Sequence, residues 1–217
     1  MKDFLFRMTK MTFGLILFSF GVVMTVKANI GYAPWEVFHV GISINTGLSL
    51  GVVAIITGLV IVVLVTIIGE KFGIGTIACA VLTGVFIDLI LMIDVIPQAV
   101  NFPIGLLMLV IGMFILAIGT YFYIGSALGT GPRDSLMVAL TRKTKLPIGL
   151  CRGILELTVT VIGWLLGGMV GVGTIISVIG IGTCIQITFK ALRFDATAVK
   201  HENLAETYAL LTGKGKK

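Results

Sequence analysis

Ala28-Asn29-Ile30-Gly31-Tyr32-Ala33-Pro34-Trp35-Glu36-Val37 returns 98 positions later (Gly31 to Gly129) as Ser126-Ala127-Leu128-Gly129-Thr130-Gly131-Pro132-Arg133-Asp134-Ser135. Glycine tolerates the left-handed backbone that ends a helix, and proline suits the first turn of the next one. The acidic residue two places after each proline complements the positive end of that new helix. Each copy therefore reads as a sharp break followed by a short helix, over 34–45 and 132–143. Both helices fall well short of the roughly 20 residues needed to cross a bilayer. They are expected either to lie at the interface or to dip in as re-entrant segments.

The repeat extends far beyond this stretch. Gly14, Gly21, Gly51, Gly69, Gly73, Gly75, Thr76 and Gly84 recur as Gly112, Gly119, Gly149, Gly167, Gly171, Gly173, Thr174 and Gly182. A mean hydropathy of +1.12 lies far outside the soluble globular range. The apolar runs do not alternate as barrel strands would, and they lack the polar face of soluble helices. The fold class expected is an all-α polytopic membrane protein with spans at roughly 8–28, 49–69, 73–93, 103–126, 147–167 and 172–190. The first run follows Lys2, Arg7 and Lys10, as in a signal peptide, but the repeat uses it as a helix, so it is read as retained. Cys79, Cys151 and Cys184 all fall within apolar runs, which suits small core residues better than disulfides or metal ligands.

These spans give one transmembrane domain over 1–190, with repeat 1 at about 8–94, repeat 2 at about 103–190 and a polar basic tail at 191–217. Three crossings per repeat is an odd number, so the second copy must enter from the opposite side and the repeats must be inverted. Charge provides an independent check. If the N-terminus is cytoplasmic, the inner segments hold Lys2, Arg7, Lys10, Lys71, Arg133, Arg142, Lys143, Lys145 and the basic residues from Lys190 onward, while the outer loops hold Lys27 alone. That bias favours both termini inside. It also explains the net charge of +6 without nucleic acid, because the basic residues sit at the ends of apolar runs. A short helix is expected around Asn203–Leu211, followed by a mobile basic end.

Small residues form stripes on the spans. Gly14, Gly21 and Ala28 lie seven apart, as do Gly112, Gly119 and Ser126, and Gly73, Thr76, Ala80, Gly84 and Asp88 share one helical face. In lipid such stripes let helix backbones approach closely, so they are read as packing surfaces.

Departures from the repeat point to chemistry. Arg152 and Glu156 stand where the first copy has Ala54 and Gly58. They lie four apart on one face, and Glu156 falls near the middle of its span. A charge there costs about 2.5–3.5 kcal/mol on insertion scales, so it needs protein or water and a partner, with Arg152 nearest. The pair reads either as a structural ion pair or as a substrate or coupling site. Asp88 on the third span, matched by Gln186 on the sixth, is a candidate for substrate contact or for proton or cation coupling, or else for an interhelical polar role. Lys27 is within reach of Glu36, Asp88 or Asp94, or it snorkels to the interface, and Trp35 reads as an interfacial anchor. The broken-helix residues Gly31, Pro34, Trp35, Glu36, Gly129, Pro132, Arg133 and Asp134 are either a well-capped connector or paired half-helices around a ligand.

Enzyme signatures are missing. His39 and His201 lie in unrelated segments, and the Gly-x-Gly-Thr sequences at Gly73 and Gly171 open membrane helices without a preceding strand. No catalytic activity, metal or cofactor is expected.

The run Lys27-Ala28-Asn29-Ile30-Gly31-Tyr32-Ala33-Pro34-Trp35-Glu36, with His39-x-Gly41, Thr46-Gly47-Leu48-Ser49-Leu50-Gly51, Gly73-Ile74-Gly75-Thr76 and Gly84-x-x-x-Asp88, resembles the YczE/YyaS/YitT-like bacterial integral membrane proteins. The resemblance covers about 10–190, and its pattern has Asp where this chain has Glu36. It implies a bacterial plasma-membrane location and brings no catalytic residues with it. The expected function is that of a small secondary transporter or exporter of an unidentified small molecule, its partners being the bilayer, that solute and a second copy in a homodimer. The alternative is a membrane regulator or scaffold acting through the Arg142–Lys145 loop and the tail.

Overall fold

The computed structural model describes residues 2–70, 72–199 and 202. Among them the chain forms α1 (Lys2–Lys27), α2 (Pro34–Thr46), α3 (Leu50–Ile68), α4 (Ile74–Ile93), α5 (Phe102–Ile124), α6 (Pro132–Thr144), α7 (Ile148–Leu165) and α8 (Val172–Ala191), then a 3-10 turn at Ala196–Ala198. No strand occurs among the described residues. Six helices, α1, α3, α4, α5, α7 and α8, are long and apolar enough to cross a membrane. The expected helix around Asn203–Leu211 lies outside the described residues.

Local chemistry sets the helix ends. Ser49 accepts a hydrogen bond from the Val52 N–H at the start of α3, and Asn101 accepts from Ile104 N–H at the start of α5. The short helices α2 and α6 both begin at a proline and end on a left-handed residue, Gly47 and Lys145 respectively. One boundary differs from expectation: α1 begins at Lys2 rather than near residue 8. Its polar first turns stay helical because Arg7 and Lys10 donate to the Ser126 and Gly125 carbonyls at 2.7 and 2.9 Å, which anchors that end on the exit from α5.

The helices α1 and α5 cross at the centre. A Cβ on Gly14 would strike the Tyr123 nitrogen and the Gly119 carbonyl, and one on Gly119 would strike Phe18 and the Gly14 carbonyl. Gly21 and Gly112 face each other in the same way. Adding 98 to one member of each pair and subtracting it from the other turns the first contact into the second. The breaks obey the same exchange. Gly75 donates to the Leu128 carbonyl at 3.0 Å, and Gly173 donates to the Ile30 carbonyl at 2.8 Å. Gly31 (φ +114°) abuts Gly171, while Gly129 (φ +151°) abuts Gly73 and Thr76. Backbone groups that a helix break would strand in hydrocarbon are thereby paired.

The main contacts that recur in both copies of the repeat sort the helices into two groups. The first consists of α1, α4, α5 and α8, joined by α1 on α5, α1 on α4 and α5 on α8. Its core includes Val22, Val23, Leu109, Met113 and Leu116, with Ile87 from α4 and Cys184 from α8. The second consists of α2, α3, α6 and α7, joined by α2 on α7, α3 on α6, α2 on α3 and α6 on α7. Both groups draw on both copies of the repeat. Between the groups, α3 packs extensively on α4, whereas their counterparts α7 and α8 make at most a marginal contact.

The difference is visible residue by residue. Gly51 and Gly84 are in backbone contact and Gly58 lies on Ala80, which zips α3 to α4. Gly149 and Gly182, the equivalents of Gly51 and Gly84, face open space.

Candidate functional site

The first turns of α2 and α6 meet between the two helix groups. The Arg133 guanidinium lies 4.8 Å from the centre of the Trp35 ring, and its Nη1 and Nη2 both approach Glu36 Oε1 at 3.4 Å. Trp35, expected as an interfacial anchor, is thus half-buried against a cation from the other copy. The reason is that Gly31 turns the chain back inward, so α2 starts deep in the protein and runs outward.

Around this contact lies a cavity of about 330 Å³. One wall is neutral, with Thr83, Thr120, Tyr123, Ser177 and apolar residues of α1, α4, α5 and α8. The other wall carries the charges Glu36, Arg133, Asp134, Arg152 and Glu156 on α2, α6 and α7. Arg152 Nε donates to Glu156 Oε1 at 2.8 Å, which is the i,i+4 pair its spacing suggested. Tyr123 donates its hydroxyl to Asp134 Oδ2 at 3.1 Å across the two walls. Glu36 is only 5% exposed, so its charge depends on Arg133 for compensation.

Two cavity groups are buried without a partner. His39 Nε2 and Ser177 Oγ make no hydrogen bond, in residues only 2% and 1% exposed. Most buried polar atoms in native proteins are satisfied, so an orphan at a cavity wall calls for an explanation. Neither the repeat nor the charge pattern singles out His39, Tyr123 or Ser177 as site residues. The available signal was spacing, because His39 follows Trp35 by four and Glu36 by three on one short helix, on the same side as both.

Not every expected site residue gathers here. Pro34, Trp35, Glu36, Pro132, Arg133, Asp134, Arg152 and Glu156 line the cavity. Gly31 and Gly129 do not line it and instead make the tight backbone contacts described above. Lys27 sits at one end of the bundle, paired with Asp94 at 2.7 Å. Gln186 is exposed on α8. Asp88 caps α3, accepting from Gly51 N–H at 2.7 Å and from the Ser49 hydroxyl at 2.5 Å. Asp88→Ala should therefore lower stability by about 1–2 kcal/mol, as loss of a helix cap does. Thermal unfolding of the purified protein measures this, and an unchanged midpoint would show the cap to be energetically idle.

A family model described as a family of unknown function (DUF6198) matches residues 5–190, and the chain belongs to that family. It is similar to the uncharacterised membrane protein YczE of Bacillus subtilis (strain 168), with 32% identity over 189 residues, 86% of this chain and 87% of the relative. An uncharacterised protein of Haemophilus influenzae is 30% identical over 174 residues, 80% of this chain and 79% of its own. The uncharacterised protein YyaS of Bacillus subtilis is 26% identical over 168 residues, 76% and 83% of the two chains. No solved structure matches the chain. With six helices long and apolar enough to cross a bilayer and a relative, YczE, described as a membrane protein, the protein is an integral membrane protein.

Proposed function

We propose that this protein is a small secondary transporter or exporter, built from two three-pass halves inserted in opposite senses with both termini cytoplasmic. The observation that carries the proposal is the cavity shared by both copies, in which His39 Nε2 and Ser177 Oγ are buried without partners. Its volume of about 330 Å³ falls in the range that holds a small organic molecule. The 98-residue exchange of contacts, Gly14 with Gly119 against Gly112 with Gly21, supports the inverted arrangement. The end bearing Arg7, Lys10, Arg142 and Lys145 is then cytoplasmic by the positive-inside rule.

The ligand meets paired charges on one wall and neutral hydrogen-bonding groups on the other. The pairs Arg133–Glu36 and Arg152–Glu156 each cancel internally and Asp134 accepts from the Tyr123 hydroxyl, so the charged wall orients a polar head while apolar residues such as Phe18, Ile61, Leu116 and Ile181 hold its body. Glu156 and Arg152 are the candidates for coupling to an ion gradient.

The test is reconstitution into liposomes with a metabolite panel, after screening purified protein for solute-dependent thermal stabilisation. A stabilising solute should also move across the bilayer. His39→Ala should weaken its binding by up to about tenfold, since one hydrogen bond is worth roughly 1 kcal/mol. Glu156→Gln should reduce uptake per folded molecule. No flux of any stabilising solute, with a phenotype lost on deleting 191–217, would favour the scaffold role instead.

A further inference from the structure

If the protein transports a solute as proposed, the cavity must change the side on which it opens, and the packing of the helices bears on how. By the contacts that recur in both copies, α3 packs on α6 as α7 packs on α2, which makes one unit of α2, α3, α6 and α7, although α3 also packs on α4 more extensively than on either short helix. The two edges of the cavity are the α3–α4 seam and the α7–α8 seam. The first is zipped and the second is splayed. The helices α3 and α4 are joined by a short turn at the end where Ile68 meets Ile74, and their glycine contact and Asp88 cap lie toward the opposite end. The helices α7 and α8 are joined at Leu165–Val172, so their gap widens toward Ile148 and Ala191.

The sequence along the open seam does not suit an open seam. A Cβ added at Gly149 or Gly182 would meet nothing within 4 Å, yet glycine in a helix costs roughly 1 kcal/mol against alanine where no close approach needs it. Their equivalents Gly51 and Gly84 are glycines because the α3 and α4 backbones touch there. Gln186 occupies the position of Asp88, one turn after Gly182, and is exposed. An amide carbonyl there can accept the Gly149 N–H as the Asp88 carboxylate accepts the Gly51 N–H. Halfway along, Glu156 and Val178 replace Gly58 and Ala80, and both line the cavity. Their bulk keeps the middle of the seam apart when its end closes, so a ligand stays enclosed.

We infer that the group of α2, α3, α6 and α7 rocks against the group of α1, α4, α5 and α8 between two states. In the state described here α3–α4 is latched by Asp88. In the other, α7 closes on α8 through Gly149 and Gly182, Gln186 takes the latch position, and the Asp88 latch is released. Asp88 and Gln186 are positioning residues for the two gates and do not touch the solute.

The experiment places cysteines at Gly149 and Gly182 in a chain whose three native cysteines are replaced, and oxidises it in liposomes. Both positions face open space, so folding should survive, and labelling of each single variant confirms a reactive thiol. A disulfide between them is expected although the two helices stand apart here. Adding Asp88→Ala should raise the closed-to-open ratio about tenfold, the equilibrium equivalent of losing one helix cap. No crosslink with both thiols reactive overturns the inference, and so does crosslinking that Asp88→Ala leaves unchanged or lowers. The readout is conformational. Crosslinking that responds to Asp88→Ala without solute flux sinks the transport proposal alone, and flux without crosslinking sinks the rocking motion alone.

Discussion

Gly21→Leu should abolish the folded protein or lower its yield to a trace. A side chain at Gly21 would enter the backbone of α5, meeting the Leu116 nitrogen and the Gly112 carbonyl. Flexible side chains relax around an added methylene for about 1–3 kcal/mol, but backbone cannot give way without separating the helices. The α1–α5 crossing holds the central cluster of Val22, Val23, Leu109 and Met113, so its loss removes the frame on which α4 and α8 pack. Gly149→Leu is the matched control, since nothing lies within 4 Å of the position. It should fold at near wild-type yield. Detergent-solubilised yield and monodispersity on size exclusion read both outcomes, and equal behaviour of the two variants would refute the crossing.

Arg133→Ala should destabilise the protein by about 3–5 kcal/mol, the usual cost of stranding a buried charge. The substitution removes the cation stacked on Trp35 and leaves Glu36, 5% exposed, with no guanidinium beside it. Glu36→Gln in the same chain should recover much of the loss, because the neutral amide no longer needs a counter-charge. A double-mutant cycle on thermal or denaturant unfolding gives the coupling directly. Additive effects would mean that the 3.4 Å approach of Arg133 to Glu36 contributes little, and that Trp35 alone holds the guanidinium.

Much of this architecture was legible in the residues. Hydropathy located the six long helices, and Pro34 and Pro132 marked the starts of the two short ones. The i,i+4 spacing of Arg152 and Glu156 anticipated their ion pair, because both residues sit on one helix whose geometry is known in advance. What the sequence concealed were relations between helices. Nothing in the order of residues indicates that Trp35 and Arg133, 98 apart, stack on one another rather than on lipid headgroups. Lys27 had three acids within nominal reach, and only the packed ends of α1 and α4 select Asp94. His39 looked like a lone histidine until burial stripped Nε2 of partners. The splay of α7 from α8 was the least legible feature, since their glycine pattern copies that of α3 and α4.

The grouping of helices also changes how the proposed motion is pictured. A duplicated bundle invites a picture of one half rocking on the other. Here each packed group takes two helices from each half, with α1 and α5 interlocked through glycine backbones. Such an interface resists sliding, so the halves are poor candidates for moving bodies. The cavity lies on the boundary between the groups, and Tyr123–Asp134 is a hydrogen bond that spans it.

The proposed opposed insertion of the two halves underlies both the shared cavity and its two gates. Leu48 and Leu146, equivalent positions 40% and 38% exposed, lie just ahead of α3 and α7. Single cysteines at each, in a chain without native cysteines, can be labelled with a membrane-impermeant maleimide in sealed right-side-out and inverted vesicles. The expected result is labelling of position 48 only from outside and of position 146 only from the cytoplasmic face. Labelling of both from one compartment would contradict the account at its root.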